Sequence, residues 1–461
     1  MKKLLLGLLL LLGMTNSSKA SHMMGGQITL EHISGMDYHL VYTAYRDMTG
    51  IPISTVATIN FVDSVSGTNF QLSIPYDSLV VVLVPGVEEY VYQTTVTFPS
   101  TGQWYISYEE CCRNAAILNM ANPAGESHHF YSIVQIDSSN STPVFLNPPI
   151  VLAQENVPFY YNPLPFDADG DSISWSLDVP LSSGGVPVAG YSLPPSDSLV
   201  PFVMDPITGE ITFLPNTLGN FQVSVRVKEY RAGVQIGEIS RDMQLIVVAS
   251  PNNPAAVTVN SNQAPFNGKA YSFTPGTSFT LNISVFDQDA QSVTILGSGE
   301  PFLLSANPAI LNVTNGNGGA SATLHWTPTA NQSRVAPYVV GLRVSEVYNN
   351  FVFQSDISIS LRVGNFTTGI GEQSDASGLV VSPNPTTGDF NIQFTTTSSS
   401  DVNVSVMNLE GKQVAGFSQN QVFNGLNVIQ VNNLHLAKGL YVVRVEQDGK
   451  NIGLQRLVVG Q

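Results

Sequence analysis

Apolar side chains fall at every second position in one stretch of this chain after another, a spacing that builds strands with one buried face and signals no helix of useful length. Toward the C-terminus Phe390, Ile392 and Phe394 alternate with Asn391 and Gln393, and Val402, Val404 and Val406 with Asn403 and Ser405. Nearer the start, Tyr38, Leu40 and Tyr42 mark one strand, Tyr90, Tyr92, Thr94, Val96 and Phe98 another, and Trp104, Ile106 and Tyr108 a third. From Ser21 to about Ser141, roughly seven such strands lie between Gly, Asp, Ser and Pro turns, the spacing of a β-sandwich. A chain of 461 residues exceeds one core and suggests about three or four domains.

The middle of the chain repeats itself. Phe166-Asp167-Ala168-Asp169-Gly170-Asp171-Ser172-Ile173 matches Phe286-Asp287-Gln288-Asp289-Ala290-Gln291-Ser292-Val293. Ile211 to Pro215 matches Leu324 to Pro328, and Phe221 to Glu229 matches Tyr338 to Glu346. The offsets are 120, 113 and 117 residues (167 to 287, 215 to 328, 229 to 346), close to the size of an Ig-like sandwich. The copies resemble the cadherin-like or Ig-like domains of bacterial surface proteins. Asp205-Pro206-Ile207-Thr208-Gly209-Glu210 is similar to the D-P-x-T-G-x hairpin of that group, which the second copy lacks. Asn147-Pro148-Pro149 and Asn262-Gln263-Ala264-Pro265 read as stiff junctions.

After a polar tether the tail opens Val380-Val381-Ser382-Pro383-Asn384-Pro385-Thr386-Thr387-Gly388, where two prolines around an asparagine forbid helix and force a tight turn. Glu410-Gly411-Lys412 turns the chain, and Gly425-Leu426-Asn427, Gly439-Leu440-Tyr441, the hairpin signal Asp448-Gly449 and Leu457-Val458-Val459 follow in order. This series closely resembles the type A C-terminal sorting domain of type IX secretion cargo in Bacteroidota, with Pro383, Asn384, Pro385, Gly388, Gly411, Gly439 and Tyr441 in the motif positions. The resemblance implies dealings with the type IX secretion machinery, export across the outer membrane, removal of the tail, and release or attachment to surface polysaccharide.

At the other end, Lys2-Lys3, the apolar run Leu4 to Leu12 and Ser18-Lys19-Ala20 read as a signal peptide, with the mature chain expected to begin at Ser21. No apolar stretch is long enough to span a bilayer. Ser21-His22-Met23-Met24-Gly25-Gly26, Tyr45-Arg46-Asp47 and Glu110-Cys111-Cys112-Arg113-Asn114-Ala115-Ala116-Ile117 resemble an uncharacterised N-terminal module of Bacteroidota surface proteins. Relatives carry further cysteines where this chain has His32 and Met48, which leaves Cys111 and Cys112 without distant partners. Two thiols, or a disulfide closing a small ring, are both open; a structural pair oxidised after export is the expectation, since no basic cluster is there to activate a thiol. The expected class is all-β: tandem β-sandwich (Ig-like/cadherin-like) domains with a small C-terminal β-sandwich. The expected map is a signal peptide at 1–20, an N-terminal module at 21–141, repeats at 142–250 and 251–365, a linker at 366–377 and the sorting domain at 378–461.

Charge narrows the partners. Lys+Arg number 18 against Asp+Glu 34, a formal net charge of −16, so the clustered basic residues that phosphate binding needs are missing and nucleic acid is not expected. Calcium or neutral glycans fit better. Asp167, Asp169 and Asp171 crowd three carboxylates into one turn, which a hard cation would hold together. The alternative is a solvated Asp/Gly turn. It is no EF-hand, because Ser172 stands where that loop needs glycine and Ile173 to Leu177 alternates as a strand. The cadherin-like resemblance adds Glu229 from the last strand and Glu155 near the junction as ligands of a calcium ion, while Gln291 weakens the second copy.

Five of the seven histidines (His22, His32, His39, His128, His129) fall in the first module without ligand spacing, and Glu109 and Glu110 point to opposite faces, unsuited to paired acid catalysis. Tyr90, Tyr92, Trp104, Tyr160 and Tyr161 are either sugar-stacking or core residues. Asp63-Ser64-Val65, Asp77-Ser78-Leu79 and Asp197-Ser198-Leu199 resemble the O-glycosylation acceptor that Bacteroidota use on exported proteins. No G-x-S-x-G, H-E-x-x-H, P-loop or dinucleotide fingerprint occurs. The expectation is a non-enzymatic, adhesin-like protein, secreted or on the outer cell surface, whose partner is a surface polysaccharide or a host or matrix glycan or protein; a carbohydrate-binding or matrix-organising role is the alternative, and a hydrolase with an unrecognised site the third.

Overall fold

A computed structural model describes residues 23–460 apart from 51, 78–80, 85, 138, 150–151, 266–268, 335, 365–378, 383, 385, 387, 397–399, 409–411, 423–424, 433 and 448–449. Among the described residues every regular element is a strand except four short 3-10 turns, and none is a helix long and apolar enough to cross a membrane. The chain is an all-β protein of tandem sandwiches. The described residues form two units, 23–260 with 280–326 and 338–359, and 261–279 with 327–337, 360–364 and 379–460.

In the first unit, the N-terminal strands and the first repeat do not meet end to end through a linker. One sheet runs in the order Asn69–Pro75, Val56–Asp63, Gly102–Glu110, His128–Ile136, Val234–Val248, Met23–Ser34, Asp37–Asp47, Val87–Thr97, Val81–Val84. The last strand of the first repeat, Val234–Val248, pairs along one edge with Gly219–Arg231 of its own repeat and along the other with strands of the N-terminal module. On that shared edge Gly237 pairs with Val134 and, further along, Met243 pairs with Gly25. Glycine is required at this crossing, because a Cβ on Gly25 would lie 1.9 Å from the Asp242 carbonyl oxygen and one on Gly26 2.6 Å from that of Thr43.

The module's core is aromatic: Tyr38, Tyr42, Phe61, Tyr92, Phe98, Trp104 and Phe130 are all buried. Alternation thus served packing at Tyr92 and Trp104, and at Tyr161 in the first repeat, rather than display; Tyr160, its neighbour, is exposed.

Charge is buried where module and repeat join. Arg113 donates to Asp242 at 2.9 Å, to the Leu181 carbonyl at 2.8 Å and to the Ser127 carbonyl at 3.0 Å. Arg241 donates to Gln27 Oε1 and the Asn147 carbonyl, both at 2.5 Å, and lies 4.1 Å over the Phe145 ring. A second buried seam joins the first repeat to strands Tyr338–Tyr348 and Phe351–Val363. There Arg343 grips Asp356 at 2.8 and 2.9 Å and donates to the Pro148 carbonyl at 3.1 Å, while the Asn162 N–H reaches Asp356 at 2.9 Å. The junction Asn147-Pro148-Pro149 is held inside these networks rather than free between beads.

In the second unit, Ala270–Phe273 runs parallel to Ser360 to Val363. The tail is a small sandwich of a three-stranded sheet (Val380–Ser382, Phe390–Thr396, Gly425–Val431) and a four-stranded one (Gln413–Val422, Ser400–Met407, Gly439–Gln447, Lys450–Val459). Phe390, Ile392, Phe394, Val402, Val404, Val406 and Tyr441 fill its core, as the alternation predicts. Pro383, Pro385 and Gly411 lie outside the described residues, as do the signal peptide, the linker and His22.

Candidate cation site

The turn from Asp167 to Asp171 leads into strand Ser172–Asp178, whose Ile173 pairs with Glu229 on strand Gly219–Arg231. Asp167 Oδ1 accepts the N–H groups of Asp169 (3.1 Å) and Asp171 (2.9 Å), a self-capped turn that the positive φ of Gly170 completes. One oxygen from each of the three aspartates lies within 4.8 Å of the others. Glu229 is fully buried beside them. Burial first, and then Asp167 and Asp171, raise its carboxyl to about 9, and burial with the neighbouring acids raises Asp167 to about 6.

The acids are unequally provided for. Asp171 is held by the Arg231 guanidinium at 2.5 to 3.2 Å, and Arg231 also reaches Asp137 at 3.2 Å and Asn140 Oδ1 at 2.7 Å. Asp169 accepts the Ser141 N–H at 2.5 Å. Among the described residues, Asp167 Oδ2, both Glu229 oxygens and Asn140 Nδ2 are buried without a hydrogen-bond partner. A hard cation suits the turn, where oxygens of Asp167, exposed Asp169 and Arg231-bound Asp171 lie close enough to share one; Glu229, buried beside Asp167 and Asp171, is not in that close group.

Glu155 does not belong to this cluster. Its N–H bonds the Val248 carbonyl at one end of strand Val234–Val248, whereas Glu229 pairs with Gly237 near the other. The eleven residues from Gly237 to Val248 span about 35 Å at strand rise. Proximity to a junction in sequence was the wrong guide, because the strand carries the two ends apart.

The second copy provides amides for Glu346 and Asp289, while Asp287 Oδ2, like Asp167 Oδ2, is buried without a partner among the described residues. Asn252 Nδ2 donates to Glu346 at 2.6 Å, the Ala255 N–H to its other oxygen at 2.9 Å, and Asn253 gives Asp289 two bonds, at 2.8 and 2.9 Å. Asn252 there and Asn140 in the first copy both precede a proline in the segment entering the repeat, a recurrence that sequence reading passed over.

Cys111 and Cys112 are bonded to each other. Next to them, the buried His128 ring stacks on Phe130 and faces Arg113 and Asp242; burial, then Arg113, lowers it to about 4. His129, on the opposite face, bonds Glu109 at 2.9 Å and the Tyr105 hydroxyl at 2.6 Å. The Asp-Ser-Val and Asp-Ser-Leu triplets at 63 and 197 have a local reason: Asp63 accepts the N–H of Val65 and Asp197 that of Leu199, both at 2.8 Å, capping exposed turns.

Residues 380–460 match the family described as secretion system C-terminal sorting domain. No curated protein matches the chain. Solved structures that align include a DUF4785 family protein of Legionella pneumophila (10% identity, 78% of this chain and 93% of that one, TM-score 0.22). Others are the major pilin subunit of Bacillus cereus (10%, 67% and 95%, TM-score 0.18) and cadherin domains 1–5 of protocadherin Gamma B2 (12%, 94% and 78%, TM-score 0.17). Similarity at these scores has no bearing on function.

Proposed function

We propose that this type IX secretion cargo, secreted or held on the outer cell surface, is an adhesin-like protein that attaches to its partner through tandem β-sandwich domains and performs no chemistry. The observation that carries the reading is the pair of buried charged seams in the first unit. Load on a bound partner passes from the N-terminal module into the first repeat through paired strands and the Arg113–Asp242 ion pair, and from the first repeat into strands Tyr338–Tyr348 and Phe351–Val363 through the Arg343–Asp356 seam, not through a flexible linker. Calcium held by Asp167, Asp169 and Asp171, beside Glu229 and the Asn140 and Ser141 segment, neutralises the buried acids and tightens the first seam. The module at 21–141 is the partner-binding part, and the repeats at 142–250 and 251–365 its support.

A carbohydrate partner has its own support. On the outer face of the second repeat, Thr280 bonds His325 at 3.1 Å and Thr323 bonds Asn282 at 3.2 Å, with Asn312 paired to Thr323. Such an uncharged ladder of hydroxyls and amides suits a neutral glycan.

Binding of the purified mature chain, without its tail, to a panel of polysaccharides and matrix proteins, in calcium and in chelator, tests these readings. Saturable binding weakened by chelator is the expected result. Binding to neutral glycans alone selects the second reading, binding to nothing removes both, and turnover of a polysaccharide replaces them with a hydrolase.

A further inference from the structure

The sorting tail closes on itself through one asparagine. Asn384 stands between Pro383 and Pro385, residues without an N–H to offer a neighbouring strand. Its side chain supplies the missing pair. Nδ2 donates to the Arg456 carbonyl at 2.5 Å, and Oδ1 accepts the Val458 N–H at 2.7 Å. A carboxamide carries a donor and an acceptor in one plane, as a peptide unit does, so it can occupy the place of a strand residue.

Two residues on, the main chain takes over. The Thr386 N–H donates to the Val458 carbonyl at 2.9 Å, the Gly460 N–H donates to the Thr386 carbonyl at 2.8 Å, and Thr386 forms a parallel bridge with Val459. Thr386 is itself fixed: its hydroxyl donates to the Asp389 carbonyl at 2.6 Å and accepts the Gly388 N–H at 3.1 Å. Lys450–Val459 is the outer strand of its sheet. Leu457 and Val459 nevertheless sit in the tail's core. The opening motif and the terminal strand, distant in sequence, are one latched structure.

We infer that Asn384 is a positioning residue for export: it fastens the terminal strand into the folded tail, and the secretion machinery takes the tail with that strand latched. The full-length chain carrying N384A, N384Q or N384D, produced in a host with a type IX export apparatus, tests this. Two quantities are read, the exported fraction of the protein and the hydrogen exchange of the Val458 and Gly460 amides in the purified full-length chain. In N384A, exchange at Val458 rises about five- to tenfold, the equivalent of one neutral hydrogen bond. Export falls several-fold while the melting of the rest of the chain is unchanged. N384Q, with the same amide on a longer stem, restores part of both, and N384D, which keeps the acceptor but loses the donor, falls between.

Wild-type export of N384A together with faster exchange separates the latch from export and overturns the inference. Unchanged exchange overturns the latch itself. Should N384A be degraded before export, N384D is read in the same two ways.

Discussion

Glu229 brings a carboxylate to a fully buried position where neither oxygen meets a donor among the described residues, with Asp167 and Asp171 facing it. Its folded pKa of about 9 lies above the ordinary value of 4.5, so the stability of the neutral form is complete below about pH 4.5 and is lost as pH rises toward 9. At pH 8 the buried charge therefore costs stability, which a cation bound beside it would restore. Glu229→Gln keeps the shape and removes the charge. In chelator at pH 8 the variant should be more stable than the parent by about 1–3 kcal/mol, and the calcium-dependent rise in Tm should vanish. A calcium response of undiminished size in this variant removes Glu229 from the site. His128 has the opposite sign. Held near 4 against an ordinary 6.5, it is neutral in the folded chain while the unfolded chain takes up a proton, so stability falls as pH drops from about 6.5 to 4, by at most about 3 kcal/mol. Denaturant melts across that range should show the loss, and His128→Gln should flatten it; an equal slope in both proteins places the acid sensitivity elsewhere.

Among the elements, strand Val234–Val248 decides the architecture, and it was the least legible. Phe390 to Phe394 shows how well alternation reads when one face is buried and the other wet. Here both faces are covered: Arg241, Asp242 and Gln244 are as buried as Ile239 and Leu245. A sequence shows no difference between a charge meant for water and one meant for a buried partner more than a hundred residues away, as Asp242 is from Arg113. Gly25-Gly26 was the local trace of the crossing, since only a missing Cβ permits that approach. The candidate site divides in the same way. The three aspartates were legible because they are neighbours; Arg231 and Asn140 were not, because a hairpin end and a linker bring them in. Gly25→Val should push the two strands apart and destabilise the protein by more than about 2 kcal/mol, seen as a lower urea midpoint. An unchanged midpoint means that the crossing is looser than the register implies.

For the whole molecule, the shared sheet sets what can fold alone. The N-terminal module cut at Ser141 loses the strand whose one edge pairs with both His128–Ile136 and Met23–Ser34, which uncovers those backbone segments and leaves Arg113 and His128 buried without Asp242. Removing one partner of a buried ion pair costs about 3–5 kcal/mol, a large part of a small domain's total stability, and open edges invite pairing between chains. Residues 21–141 should therefore be unfolded or associated at concentrations where residues 21–250 are monomeric and folded. The longer fragment should melt in one cooperative transition, because strand Val234–Val248 belongs to both parts and neither can release it and stay intact. Calorimetry with equal calorimetric and van't Hoff enthalpies for 21–250 is the expected outcome. Two separable transitions, or a monomeric cooperative fold for 21–141, would mean that the module and the repeat are independent beads after all, and a surface protein that transmits load through a continuous sheet would become one that hinges at Asn147-Pro148-Pro149.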